Sequence, residues 1–290
     1  GGEPGLVVAR TADGGKTWAT TALTGLSAAG VNLRQSPAYF SFVDARTGWL
    51  AFDLPTSSNF SRGILLATTD GGATWRQQAL PIGGAIRFVD RSTGWVAGGA
   101  GGDQLYVTRD AGRTWQALKP VSGPAAGERT LYAPPDFRDA QRGVLAVTLS
   151  GGPNPRIELY RTRDGGRSWQ KATTIALATG SGAPAAAARA ALASNLDVLV
   201  ADPGTGKLWS VAAAGGAARE VSADPVVQGI TDLQVVGEDQ AWAQIPSGAC
   251  TGEKTATGKN GAAPEPLRCA AQRALLSSSD GGVTWQDVSP

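Results

Sequence analysis

The sequence predicts an all-β protein: a β-propeller of four-stranded antiparallel blades. Three observations predict it. An eight-residue box ending in Trp recurs five times, a strand–turn–strand element precedes several of the boxes, and the composition is rich in glycine and poor in charge. Glycine supplies 40 of 290 residues and charged side chains only 17%, which fits short strands joined by many turns.

The box reads Thr/Ser-x-Asp-x-Gly-x-Thr/Ser-Trp. It occurs as TADGGKTW (11–18), TTDGGATW (68–75), TRDAGRTW (108–115), TRDGGRSW (162–169) and SSDGGVTW (278–285). Its fixed residues are the pairs Asp13 and Trp18, Asp70 and Trp75, Asp110 and Trp115, Asp164 and Trp169, Asp280 and Trp285. The tryptophans stand 57, 40, 54 and 116 residues apart, so the last interval has room for a worn copy. LWSVAAAGGAAREVS from Leu208 fits it, with Ala213 in place of the Asp and Ala218 in place of the Trp.

Each unit then divides into four strands. The first two come from the elements FVDARTGWLAF (42–52), FVDRSTGWVAG (88–98), FRDAQRGVLAV (137–147) and, more loosely, VVGEDQAWAQ (235–244). A third apolar strand follows (GILLATT, QLYVTR, IELYRTR or RALLSSS), then the box as a turn, then a fourth strand such as TWRQQAL. The Ala-rich 183–194 has helical propensity but occupies an innermost-strand position, so it is read as strand or irregular. A single propeller domain over 1–290 contains six units: 5–23 (partial), 36–80, 84–118, 127–174, 186–222 and 228–288. The first supplies only an outer hairpin, so either its inner strands lie upstream or closure is irregular. A longer form would have room for a seventh blade.

The residue types of the box suit a tight turn. Asp accepts hydrogen bonds from nearby N–H groups, the Thr or Ser supplies a hydroxyl, and the fixed glycine suits a positive φ. The Trp is expected to fold back and pack against strands. Five equivalent turns are more simply five staples than five catalytic centres.

This pattern resembles the Asp-box, or bacterial neuraminidase repeat, of sialidases, sortilin-type receptors, xyloglucanases and photosystem II assembly/stability factors. F-x-D-x-x-x-G-W followed by T-x-D-G-G-x-T-W is most similar to the last group and its bacterial relatives, over most of residues 6–288. The resemblance implies a propeller with its boxes on the periphery, away from any active site. A sialidase would also need an arginine triad, a Tyr–Glu nucleophile pair, an acid/base Asp and an Arg-Ile-Pro motif before the first box. No such motif occurs. The nearest string, NPRIELY (154–160), lies in the fourth unit, where Glu158 and Tyr160 share a predicted strand.

Other function classes are narrowed directly. With no histidine, His-dependent triads and His-ligated zinc are excluded. A net charge of +2 gives no bulk field for nucleic acid, and no apolar run is long enough for a membrane span. DPGTGKLW (202–209) lacks the spacing of a phosphate loop and reads as a hairpin turn. The chain opens on GGEPGLVV without Met, and reads as a processed or excised form from which any export signal has been removed. Cys250 and Cys269 flank one Gly/Pro/Lys-rich stretch. Two unrelated thiols are the plainer reading, but a pair flanking one loop fits a disulfide better, which would imply an oxidising compartment.

The functional expectation is an exported, extracytoplasmic, non-enzymatic scaffold that binds a protein partner, with no cofactor, metal or catalytic residue assigned. The competing class is a carbohydrate-active enzyme or lectin. Candidate partner-binding side chains are Phe60, Arg129, Tyr132, Arg138, Arg156 and Arg161, drawn from symmetry-breaking loops and the Arg-dense fourth unit, although a solvated face explains the arginines of that unit better. Convergent Arg, Tyr and carboxylate groups at a channel mouth would mark a ligand site.

Overall fold

The computed structural model describes residues 6–24, 33, 36–54, 60–120, 124–178, 186–222, 229–247, 250–251, 268–269 and 272–289. The chain begins with a two-stranded hairpin, β1 (Val7–Arg10) and β2 (Ala19–Ala22). Blade I follows as β3 (Ala38–Phe42), β4 (Gly48–Leu54), β5 (Arg62–Thr68) and β6 (Arg76–Leu80). Blade II is β7 (Gly84–Phe88), β8 (Gly94–Gly98), β9 (Gln104–Thr108) and β10 (Gln116–Ala117).

Blade III has a split first strand, β11 (Arg129–Tyr132) and β12 (Asp136–Phe137). Both pair with β13 (Gly143–Ser150), followed by β14 (Arg156–Thr162) and β15 (Gln170–Ala176). Pro134 and Pro135 stand at the split, because proline cannot donate to a ladder. Blade IV is β16 (Arg189–Leu192), β17 (Val198–Ala201), β18 (Leu208–Val211) and β19 (Arg219–Ser222). Blade V is β20 (Asp232–Val236) and β21 (Gln240–Ser247), then β24 (Gln272–Ser278) and β25 (Gln286–Asp287). A short pair, β22 (Cys250–Thr251) and β23 (Arg268–Cys269), lies between β21 and β24 in sequence.

All pairs are antiparallel and each blade runs outward in chain order. Among the described residues the six counted units resolve into about five four-stranded blades plus the outer hairpin β1–β2. The worn copy forms β18 and β19, and Ala218 packs at a blade joint without a Trp ring. The Ala-rich stretch contributes β16, where its tertiary position in the sheet overrides helical propensity.

Side chains alternate across each strand, so every second strand serves two joints. Trp49 and Ala51 of β4 pack toward blade II, while Leu50 and Phe52 pack beneath Leu6, Val8 and Leu23 of the hairpin. Val96 turns toward blade I, and Trp95 and Ala97 toward blade III. All eight residues of β13 are buried. The remaining joints, III–IV and IV–V, are filled by aliphatic side chains and Trp209 or Trp285. The innermost strands β3, β7, β12, β16 and β20 all line one central channel.

Candidate binding channel

The five boxes share one bonding plan. In the second, Thr68 Oγ1 donates to Asp70 Oδ1 at 2.8 Å and accepts from the Gly72 N–H at 2.9 Å. The carboxylate accepts the Thr74 N–H at 2.9 Å and its hydroxyl at 2.6 Å. Trp75 Nε1 donates to Gly72 O at 3.1 Å. Asp13, Asp164 and Asp280 repeat these carboxylate bonds, as does Asp110. Hydroxyl donation from Thr17, Thr114 and Thr284 leads the forces that hold Asp13, Asp110 and Asp280 at about 2. The oxygens of these carboxylates are thus engaged inside their own turns.

The tryptophans differ in burial. Trp285 is buried, Trp75, Trp115 and Trp169 are half-buried, and Trp18 is 60% exposed. Trp115 donates to Ala79 O of the preceding blade at 3.2 Å, and Trp169 Nε1 is buried without a partner.

The channel cavity is about 590 Å³. The residue preceding the Phe of each F-x-D element points to the hub. Ser41 Oγ accepts the N–H of Phe88 at 2.8 Å, joining blades I and II. Asp136 accepts the N–H of Leu192 through Oδ2 at 2.8 Å and pairs with Arg87 through Oδ1, tying blades II, III and IV. Burial raises the Asp136 carboxyl from its ordinary value, and Arg87 opposes that shift.

Arg189, on β16, completes the polar lining with Tyr39, Asp232 and Gln244. Desolvation lowers its pKa while the Asp232 charge acts to raise it. Its Nε is buried without a hydrogen-bond partner. Asp232 accepts the Leu233 N–H at 3.0 Å and the Gln234 amide at 3.1 Å. The wall thus carries two arginines and two carboxylates, balanced in charge, with one unmatched donor.

A second polar cluster lies on blade III. Tyr160 Oη donates to Glu158 at 2.6 Å, Lys171 pairs with Glu158 at 2.8 Å, and Arg156 bridges Glu158 at 2.9 Å and Glu128 at 2.6 Å. Burial raises the Glu158 pKa, but the Lys171, Tyr160 and Arg156 bonds outweigh it and hold the group at about 2. Burial, then the hydrogen bond to Glu158, raises the Tyr160 phenol well above its ordinary value. With Lys171 and Arg156 also bonded to it, the ionised Glu158 is a weak base toward the phenol that donates to it.

The candidate partner-binding residues do not form one site. Arg156 is spent on the cluster above. Arg161 donates to the carbonyls of Leu196 at 3.1 Å and Ala212 at 3.0 Å, bracing the III–IV joint. Tyr132 is half-buried, and Arg129, Arg138 and Phe60 are exposed on separate segments. Sequence reasoning did not single out Tyr39, Arg87, Arg189 and Asp232. The available signal was a charged residue just before the Phe of F-x-D, as in Arg87 and Asp136. Cys250 and Cys269 stand opposite each other in the register of β22 and β23, and their side chains lie outside the described residues.

No protein-family model matches the chain, and no curated protein matches it. Solved structures do. It is similar to a Penicillium chrysogenum α-L-arabinanase complexed with arabinobiose, with a TM-score of 0.52 and 16% identity over 82% of this chain and 79% of that one. A Fusarium graminearum GH93 α-L-arabinofuranosidase with arabinobiose gives 0.52 and 13% over the same shares. The structure described as YCF48 bound to D1 peptide gives 0.49 and 19%, over 97% of this chain and 75% of that one. The likeness is one of fold: the chain is a β-propeller.

Proposed function

We propose that this protein is a non-enzymatic, exported β-propeller that acts as a protein-binding or assembly scaffold, and that it grips its partner at the channel. The observation that carries this reading is the state of the channel polar groups. Asp136, the channel carboxyl whose pKa burial raises, already has both oxygens bonded, whereas the Arg189 Nε is a buried donor in want of an acceptor. A carbonyl or carboxylate oxygen of an extended segment entering the channel would supply that acceptor. Export is supported by the in-register placement of Cys250 and Cys269.

The competing reading is a carbohydrate-active propeller. It draws on the two carboxylates, Asp136 and Asp232, that line one cavity. One experiment separates the two. A photo-crosslinking residue at Gln244, introduced in the native organism, should trap a polypeptide, and Arg189→Ala should abolish the adduct. Release of reducing ends from arabinan or xyloglucan, abolished by Asp136→Asn, would overturn the scaffold reading.

A further inference from the structure

At two blade joints a Trp and two aromatic neighbours repeat one arrangement. Trp49 of β4 stacks on Phe88 of blade II at 3.6 Å and 2°, and Phe88 meets Trp115 edge-on at 6.2 Å. Trp95 of β8 stacks on Phe137 of blade III at 4.6 Å and 20°, and Phe137 meets Trp169 edge-on at 6.1 Å. Blade I carries the same last pair, Phe42 edge-on to Trp75 at 6.2 Å. Its first member is missing. By register, Phe40 and Phe42 occupy the places of Ile86 and Phe88. Ile86 and Phe88 are 6% and 4% exposed, against 55% and 46% for Phe40 and Phe42.

The opposite end of the ring is the complement. Ala241 and Ala243 of β21 pack toward blade IV, so Trp242 between them faces away. It holds the register place of Trp49 and Trp95, with no Phe from a following blade among the described ring contacts. Against blade I stands β1–β2, with the box between its strands as in strands three and four of a blade. Among the described residues nothing pairs with the inner edge of β1. A groove of about 600 Å³ opens there, walled by Val8, Trp18, Phe40, Phe42 and Trp75.

We propose that this groove is the seat of a β-hairpin of the F-x-D-x-x-x-G-W type, which completes a sixth blade. Its second strand adds to the edge of β1, and the Trp after its Gly stacks on Phe42. The Phe of its first strand stacks on Trp242. The occupant belongs to this protein's own repeat array, in the same polypeptide, because blades I to III each draw such a hairpin from the chain directly ahead of strand three.

The test appends the chain's own hairpin, residues 84–98, ahead of residue 1, so that residues 1–6 act as the connection. Hydrogen exchange at β1 should slow at least tenfold in the fused chain. Phe42→Ala should lower the melting temperature of the fused chain by several degrees and barely change that of the parent. Unchanged β1 exchange on fusion would overturn the proposal. A parent chain that is already dimeric by light scattering, with β1 protected, would overturn it in favour of a second copy as the occupant. Protein isolated from its native source should carry such a hairpin in the same polypeptide, and its absence there would also overturn the proposal.

Discussion

Trp49 and Phe88 lie flat against each other across the joint between blades I and II, 3.6 Å between centroids and 2° from parallel. The Trp49 indole N–H also donates to Ala111 O in the following blade's box at 3.1 Å. One side chain therefore fixes both the spacing and the rotation of two sheets. Phe88→Ala should cost about 3–5 kcal/mol, the usual range for a buried aromatic, whereas Phe42→Ala should cost less than about 1 kcal/mol because half its ring is already in water. Urea unfolding of the two variants checks the contrast.

The third box carries Ala111 where the other four have glycine, and Ala111 holds a φ of 64°. The left-handed region costs an L-residue about 1–2 kcal/mol, partly offset by the extra unfolded-state entropy of glycine. Ala111→Gly should therefore stabilise by about 0.5–1 kcal/mol. Gly112→Ala should destabilise, because its new Cβ would stand 2.8 Å from Leu65 Cδ2 at a φ of 87°. Melting temperatures read both signs.

Acid should loosen the boxes. Asp110 and Asp280 titrate near 2 in the folded protein against an ordinary value of 3.8. A depressed folded value contributes stability that is complete above the unfolded value and lost as pH falls through the folded one. The denaturant midpoint should fall between about pH 4 and pH 2, and Asp280→Asn should flatten that fall.

Cys250 and Cys269 face each other in register, and directly opposed antiparallel residues have Cα atoms about 4.5–5.5 Å apart, within disulfide range. A disulfide there would close a loop of about 20 residues, worth about 3 kcal/mol in the chain-entropy model. Protein purified without reductant should refuse maleimide until reduced, and reduction should lower its melting temperature.

The propeller was legible because its repeat is written in residues with few substitutes: Asp and Gly in the turn, Trp at the joint. The count of five complete blades was less legible. The N-terminal box announces a unit, yet only two strands accompany it, and a turn motif carries no information about strands elsewhere. The channel escaped notice for a different reason. Tyr39, Arg87, Arg189 and Asp232 are separated by up to two hundred residues and meet only because the inner strands converge on one axis. No spacing rule connects them. The blade III cluster shows the converse, since Glu158 and Tyr160 are near neighbours in sequence and their hydrogen bond is a local consequence of β14.

Asp136 accepts from Arg87 on one side and from Leu192 on the other. Arrays whose units touch only their neighbours tend to unravel from the ends. Here the middle three sheets share a single knot at the axis, so they should come apart together. The margins, blade I and blade V, should fray before that knot slips, and heating would then release the protein in two stages instead of five.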